Sequence, residues 1–162
     1  MMPRVLLAAP FLAMSLAHAA PCDDAEYRQF VFWVGRWDVT DKGKVIATSV
    51  IERFADGCAI LENYTQADGY SGKSINFYDA ALKRWRQQWT DSMGNSSEWS
   101  GEFREGAMRF DGEAHRRDGL KVTRNMTFTR LADGSVRQAS DRSPDGGRTW
   151  LPGYDFVYVK KP

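Results

Sequence analysis

The chain has 162 residues, 43% apolar, 13% aromatic and 27% charged, enough for one hydrophobic core and not for two. Its 22 Lys and Arg against 21 Asp and Glu exclude the basic surplus of a nucleic-acid-binding face. No low-complexity tract is present, and the aromatic content argues against long disorder.

Residues 1–20 read as an export signal. Arg4 is the only charge, an apolar run extends from Val5 to Ala17, and Ala17-His18-Ala19 forms an Ala-x-Ala site. The run is too short to span a bilayer. Cleavage is expected after Ala19, leaving residues 20–162 as a single domain that is periplasmic or secreted. Pro21 directly before Cys22 argues against lipid attachment at that cysteine. Loss of Arg4 balances the remaining charges, so no electrostatic attraction to membranes or polyanions is expected. No other apolar stretch approaches membrane length. The two cysteines, Cys22 and Cys58, are expected to form a disulfide, because an oxidising compartment leaves few other uses for them.

A short helix is expected over 25–34, with Asp23-Asp24 as candidate caps. Turn dipeptides then punctuate the chain: Asp56-Gly57, Asp68-Gly69, Glu105-Gly106, Asp118-Gly119, Asp133-Gly134 and Asp145-Gly146, with Met93-Gly94-Asn95 between. Glycine at such positions supplies the positive φ of tight hairpins. The segments between them are rich in β-branched and aromatic residues. Strands are expected near 36–41, 45–54, 58–66, 73–79, 85–91, 96–104, 107–115, 120–131, 135–143 and 149–160. In 96–104, Trp99, Gly101 and Phe103 oppose Glu98, Ser100, Glu102 and Arg104, the period of a sheet with one wet face. Sequential strands joined by tight turns describe an all-β, antiparallel up-and-down meander. A barrel of eight to ten strands, with the short N-terminal helix, removes the exposed edges; a two-sheet sandwich is the alternative.

Most familiar chemistries find no residues here. Beyond the signal, the one histidine is His115, at a basic hairpin tip, where neither a catalytic triad nor a zinc site has its partners. No metal, cofactor or catalytic residue is assigned. Ser143 to Trp150 fits the Asp-box pattern, which resembles the repeats of sialidase propellers; there it is a structural turn, and that role is expected here. Three glycosylation sequons, at Asn63, Asn95 and Asn125, read as chance behind a signal of bacterial type.

Polar residues on faces that should be interior are more informative. In 85–91, Trp85, Gln87, Trp89 and Asp91 share a face. In 120–131, Arg124 shares one with Leu120, Val122, Met126 and Phe128. Gln138 points with Val136, Asn76 with Tyr78, and Glu62 with Tyr64. Such groups either satisfy one another in a buried network or line a cavity. The candidate ligand-binding set is therefore Glu62, Asn76, Tyr78, Gln87, Trp89, Arg124 and Gln138. Arg124 needs an acceptor, either Glu62 or Asp141 within the protein or an acidic ligand group held against Trp85 and Trp89.

The stretch Phe30-Val31-Phe32-Trp33-Val34-Gly35-Arg36-Trp37-Asp38-Val39 resembles the opening of a family of exported bacterial proteins, the domain-of-unknown-function 1579 family. Asp56-Gly57-Cys58, Glu62-Asn63-Tyr64, Asn76-Phe77-Tyr78-Asp79 and Trp85-x-Gln87-x-Trp89-x-Asp91 extend the likeness. The family's pattern has Asp where this chain has Val31, and Glu near the position of Asp141. The resemblance implies a calycin-type barrel, the architecture of lipocalins and fatty-acid-binding proteins. It implies that Trp37 closes one end, and it brings no established activity. The expected function is a barrel that holds a small, partly apolar and acidic molecule, with no cofactor, no nucleic-acid partner and no membrane span. The alternative is an enzyme using Glu62 or Asp141 as acid or base in the same pocket.

Overall fold

The computed structural model describes residues 22–161 and contains ten strands in one closed antiparallel barrel. A four-residue helix, α1 (Ala25–Arg28), and a 3-10 turn (Val31–Trp33) precede β1 (Gly35–Asp41), β2 (Lys44–Phe54), β3 (Ala59–Gln66), β4 (Ser71–Asp79) and β5 (Arg84–Asp91). β6 (Ser96–Arg104), β7 (Ala107–His115), β8 (Lys121–Arg130), β9 (Val136–Ser143) and β10 (Leu151–Lys160) complete the chain. Each strand pairs with its neighbours in sequence, and β1 pairs with β10 to close the ring. The signal segment lies outside the described residues.

The turns form as their residues dictate. Lys42-Gly43 (φ 49° and 78°) and Glu105-Gly106 (φ 52° and 74°) are two-residue connections with both central residues left-handed, which matches the twist of the strands they join. The Asp-box behaves as a turn: Asp145 Oδ1 accepts from the backbone N–H of Arg148 and Thr149 and from the Ser143 hydroxyl. At two inward positions the barrel has no room for a side chain. A Cβ on Gly101 or Gly112 would lie inside contact distance of the carbonyls of Arg109 and Glu98 on the adjacent strand.

The helix is shorter than the 25–34 expected from the sequence. Phe30 breaks it at φ −107°, and Phe30, Phe32 and Trp33 all turn toward the barrel. In a continuous α-helix Phe30 and Phe32 would point about 200° apart, so the 3-10 turn lets both pack. The expected acidic cap does not form either. Asp24 occupies the N-cap position without a side-chain bond, and Asp23 pairs with Arg28 at 3.3 Å.

This segment is the barrel's floor. Phe30 and Trp33 stack at 5.0 Å and are fully buried against Trp85, Phe110 and Phe128. Trp37 donates its indole N–H to the Trp33 carbonyl at 2.9 Å, tying the first strand to the plug. Each fully buried aromatic here contributes about 1.5–3 kcal/mol relative to exposure. The Cys22–Cys58 disulfide, with Cα atoms 4.9 Å apart, fastens the plug to the turn before β3.

Candidate functional site

Above the floor the barrel interior changes from aromatic to polar. Glu62 on β3 is 3% exposed. Its carboxyl oxygens accept from Ser49 at 3.0 Å, Ser74 at 3.0 Å and Tyr158 at 3.1 Å. Behind them, Gln87 donates to Asn76, and Asn76 donates to Ser74 at 3.0 Å. Tyr158 also lies 2.9 Å from Gln138 Oε1. Burial pushes the Glu62 carboxyl up to about 7, against the lowering effect of the three hydroxyl donors. Burial and the neighbouring Glu62 push the Tyr158 hydroxyl well above its ordinary range.

The polar tier underlies a cavity of about 590 Å³, within the usual range for small-molecule sites. It opens at the end of the barrel bounded by the turns before β4, β6 and β8. Its walls are Tyr64, Trp89 and Trp99 on one side and Met126, Tyr154 and Phe156 on the other. Tyr154 and Phe156 stack at 4.8 Å, and Tyr64 meets Trp89 edge to face at 6.0 Å. The ring of Trp89 has space because position 72 is glycine; a Cβ there would overlap the indole.

Arg124 lines the same cavity from β8. Its guanidinium sits 5.0 Å from the centre of the Tyr154 ring. Its Nε is buried without a hydrogen-bond partner, and no carboxylate among the described residues lies within ion-pair distance. Room for it comes from the irregularity of β10 between Pro152 and Tyr154, because a Cβ on Gly153 would come within 2.8 Å of Arg124 Nη2. Burial raises the Tyr154 hydroxyl to about 12, and the Arg124 charge opposes that rise.

The rim carries the remaining charge. Burial works against ionisation of Asp91, but bonds from Asn95, Tyr70 and the backbone N–H of Met93 hold it below the usual carboxylate range. His115 and Arg116 also border the opening, paired with Glu113 and Asp118. Among the described residues no three His, Cys, Asp or Glu side chains are placed to hold a metal ion. No helix among them is long and apolar enough to cross a membrane.

Of the candidate residues, Glu62, Gln87, Trp89, Arg124 and Gln138 line the cavity. Asn76 is fully buried one layer behind, where it holds Gln87 and Ser74. Tyr78 is on the inward face but near the closed end, edge-on to Tyr27 at 5.4 Å. Trp85, expected to flank the ligand, is instead part of the floor, 1% exposed and bonded to Gln29. Asp141 is neither a partner for Arg124 nor an interior acid: the inward positions of β9 are Val136, Gln138 and Ser140, so Asp141 faces solvent. Tyr154 and Phe156 are wall residues that the sequence reading passed over, although Tyr154, Phe156 and Tyr158 alternate visibly along the last strand. No model of a known protein family matches the chain, and no curated protein does either.

Proposed function

We propose that the protein is an exported, single-domain binding protein that holds a small, partly apolar molecule in the barrel cavity by an acidic group on Arg124. The observation that carries this reading is an unpaired guanidinium on the wall of an aromatic cavity. The half-buried guanidinium keeps its proton and its buried Nε lacks an acceptor, and a carboxylate or similar anion fits its fork bidentately. The aromatic walls supply apolar contact and the open end supplies entry. Export after cleavage at Ala19 is supported by the n-region, h-region and Ala-x-Ala pattern and fits the disulfide. Membership of the domain-of-unknown-function 1579 family belongs to this proposal; it rests on the motifs from Phe30 to Asp91 and fits the calycin-like barrel.

The test is capture of extract-derived small molecules on the purified protein, identified by mass spectrometry, followed by titration into Arg124→Met. A loss of tenfold or more in affinity for an acidic ligand is expected. Undiminished affinity in the variant overturns the assignment. Glu62 favours a second reading, acid–base catalysis on the bound molecule, because it borders the cavity and is poised near neutrality. Chemical conversion of the captured molecule that is lost in Glu62→Gln distinguishes it from binding alone.

A further inference from the structure

Most polar groups around the cavity satisfy one another, and the hydrogen-bonding capacity left unspent falls on two sides. On the β8 side it is donor capacity: Arg124 offers its guanidinium N–H groups and accepts nothing. On the β3 and β5 side it is chiefly acceptor capacity. Glu62 is a carboxyl whose three protein partners leave one oxygen, Oε2, with a single donor. Gln87 spends one N–H on Asn76, and its carbonyl receives no bond from the described residues. Around the ten-strand ring β3 and β8 stand five strands apart in either direction, so donor and acceptor sides face each other across the cavity. Their charges do not meet, since no ion pair joins Glu62 to Arg124. The aromatic walls are Trp89, beside Gln87 on β5, and Tyr154 with Phe156 on β10, five strands apart.

A ligand with one polar end would leave one of these sides facing apolar surface. Buried acceptors without donors are costly, as are buried donors without acceptors. We infer that the ligand carries two polar ends of opposite character, an anionic group on Arg124 and a hydroxyl or amine donated to Glu62 and Gln87, joined by a flat apolar body. This inference rests on the Arg124 reading above and narrows the ligand to hydroxy- or amino-substituted aromatic or fused-ring acids.

Four rigid probes separate the two claims: 2-naphthoic acid, 6-hydroxy-2-naphthoic acid, 6-methoxy-2-naphthoic acid and 2-naphthol. Each is titrated calorimetrically into the disulfide-bonded protein at pH 8. The hydroxy acid is expected to bind about tenfold more tightly than 2-naphthoic acid, as a hydrogen bond to a charged acceptor implies. The methoxy acid, which cannot donate, is expected to lose that advantage. Glu62→Gln and Gln87→Met are expected to shrink the hydroxyl preference, whereas Arg124→Met weakens both acids alike. The comparison of probes on the unaltered protein stands even if a variant fails to fold. Equal affinity of the hydroxy acid and 2-naphthoic acid overturns this inference while leaving the Arg124 anchor in place. Binding of 2-naphthol as tight as that of the hydroxy acid, or no binding of any probe, overturns the anchor and this inference together.

Discussion

Glu62 makes the protein's stability depend on pH in a direction opposite to that of most carboxylates. Its carboxyl titrates near 7 in the folded protein and at the ordinary 4.5 once unfolding returns it to water. Between those values the folded state binds more protons than the unfolded state, so stability falls as pH rises through the window and levels off above it. A difference of 4.5 to about 7, at about 1.4 kcal/mol per unit, amounts to roughly 3 kcal/mol. No discount for solvent screening applies to a side chain that is 3% exposed. Glu62→Gln keeps the shape and removes the titration. Urea unfolding of both proteins at pH 4.5, 5.5, 6.5 and 7.5, with the disulfide intact, gives the difference directly. Asp91, Asp133, Asp145 and Asp155 are all held below the ordinary carboxylate range, so they titrate under this window and cancel between the two proteins. The stability of wild type relative to the variant is expected to drop by about 3 kcal/mol from the lowest pH to the highest. A difference that stays constant across the series refutes the assignment of a neutral, buried Glu62.

Trp37→Ala is expected to cost about 3–5 kcal/mol and to lower the melting temperature markedly, since it removes both a buried indole and its bond to Trp33; an unchanged melting temperature contradicts its place in the floor. Replacing Cys22 and Cys58 together by Ser is expected to cost about 2–4 kcal/mol, read as a lower urea midpoint; coincident midpoints argue that the plug holds without its link. Gly112→Ala is expected to cost about 1–3 kcal/mol because its methyl would meet the Glu98 carbonyl; a neutral result in chemical denaturation shows that the strands do not approach so closely.

Turn dipeptides and the β-branched and aromatic segments between them placed all ten strands, with boundaries within about two residues of those observed, and alternation was clear in several of them and ambiguous in β3 and β4. Parity turns Gln87, Trp89, Arg124 and Gln138 inward, and Glu62 follows by sharing a face with Tyr64; it also turns Asp141 outward, against the expectation that Asp141 could face Arg124. Height along the barrel was not legible. Trp85 and Trp89 share a face, yet four residues of extended chain separate them by about 13 Å, so one belongs to the floor and the other to the cavity wall. The same displacement separates Tyr78 from the cavity. The space for Arg124 depends on a local irregularity in β10 at Gly153, and periodicity carries no information about such a break. The N-terminal helix was overextended because its aromatic residues follow the demands of a floor that no local pattern reveals.

Nine of the ten seams in the barrel join strands adjacent in sequence and can zip from a turn. The tenth, β1 with β10, pairs Trp37 with Lys160 and Asp41 with Phe156, bringing together segments more than a hundred residues apart. Loop closure on that scale is the most entropically demanding contact in the molecule, so this seam is expected to form last and to set the folding rate. Before it forms, the chain is a curled sheet with two bare edges open to pairing with other molecules. In that state Trp37 lacks the cover of Tyr158, and Glu62 lacks one of its three donors. Tyr154 and Phe156 also arrive on the closing strand. The cavity therefore takes shape only when the two ends of the polypeptide meet, and unzipping that one seam dismantles floor, polar tier and wall together.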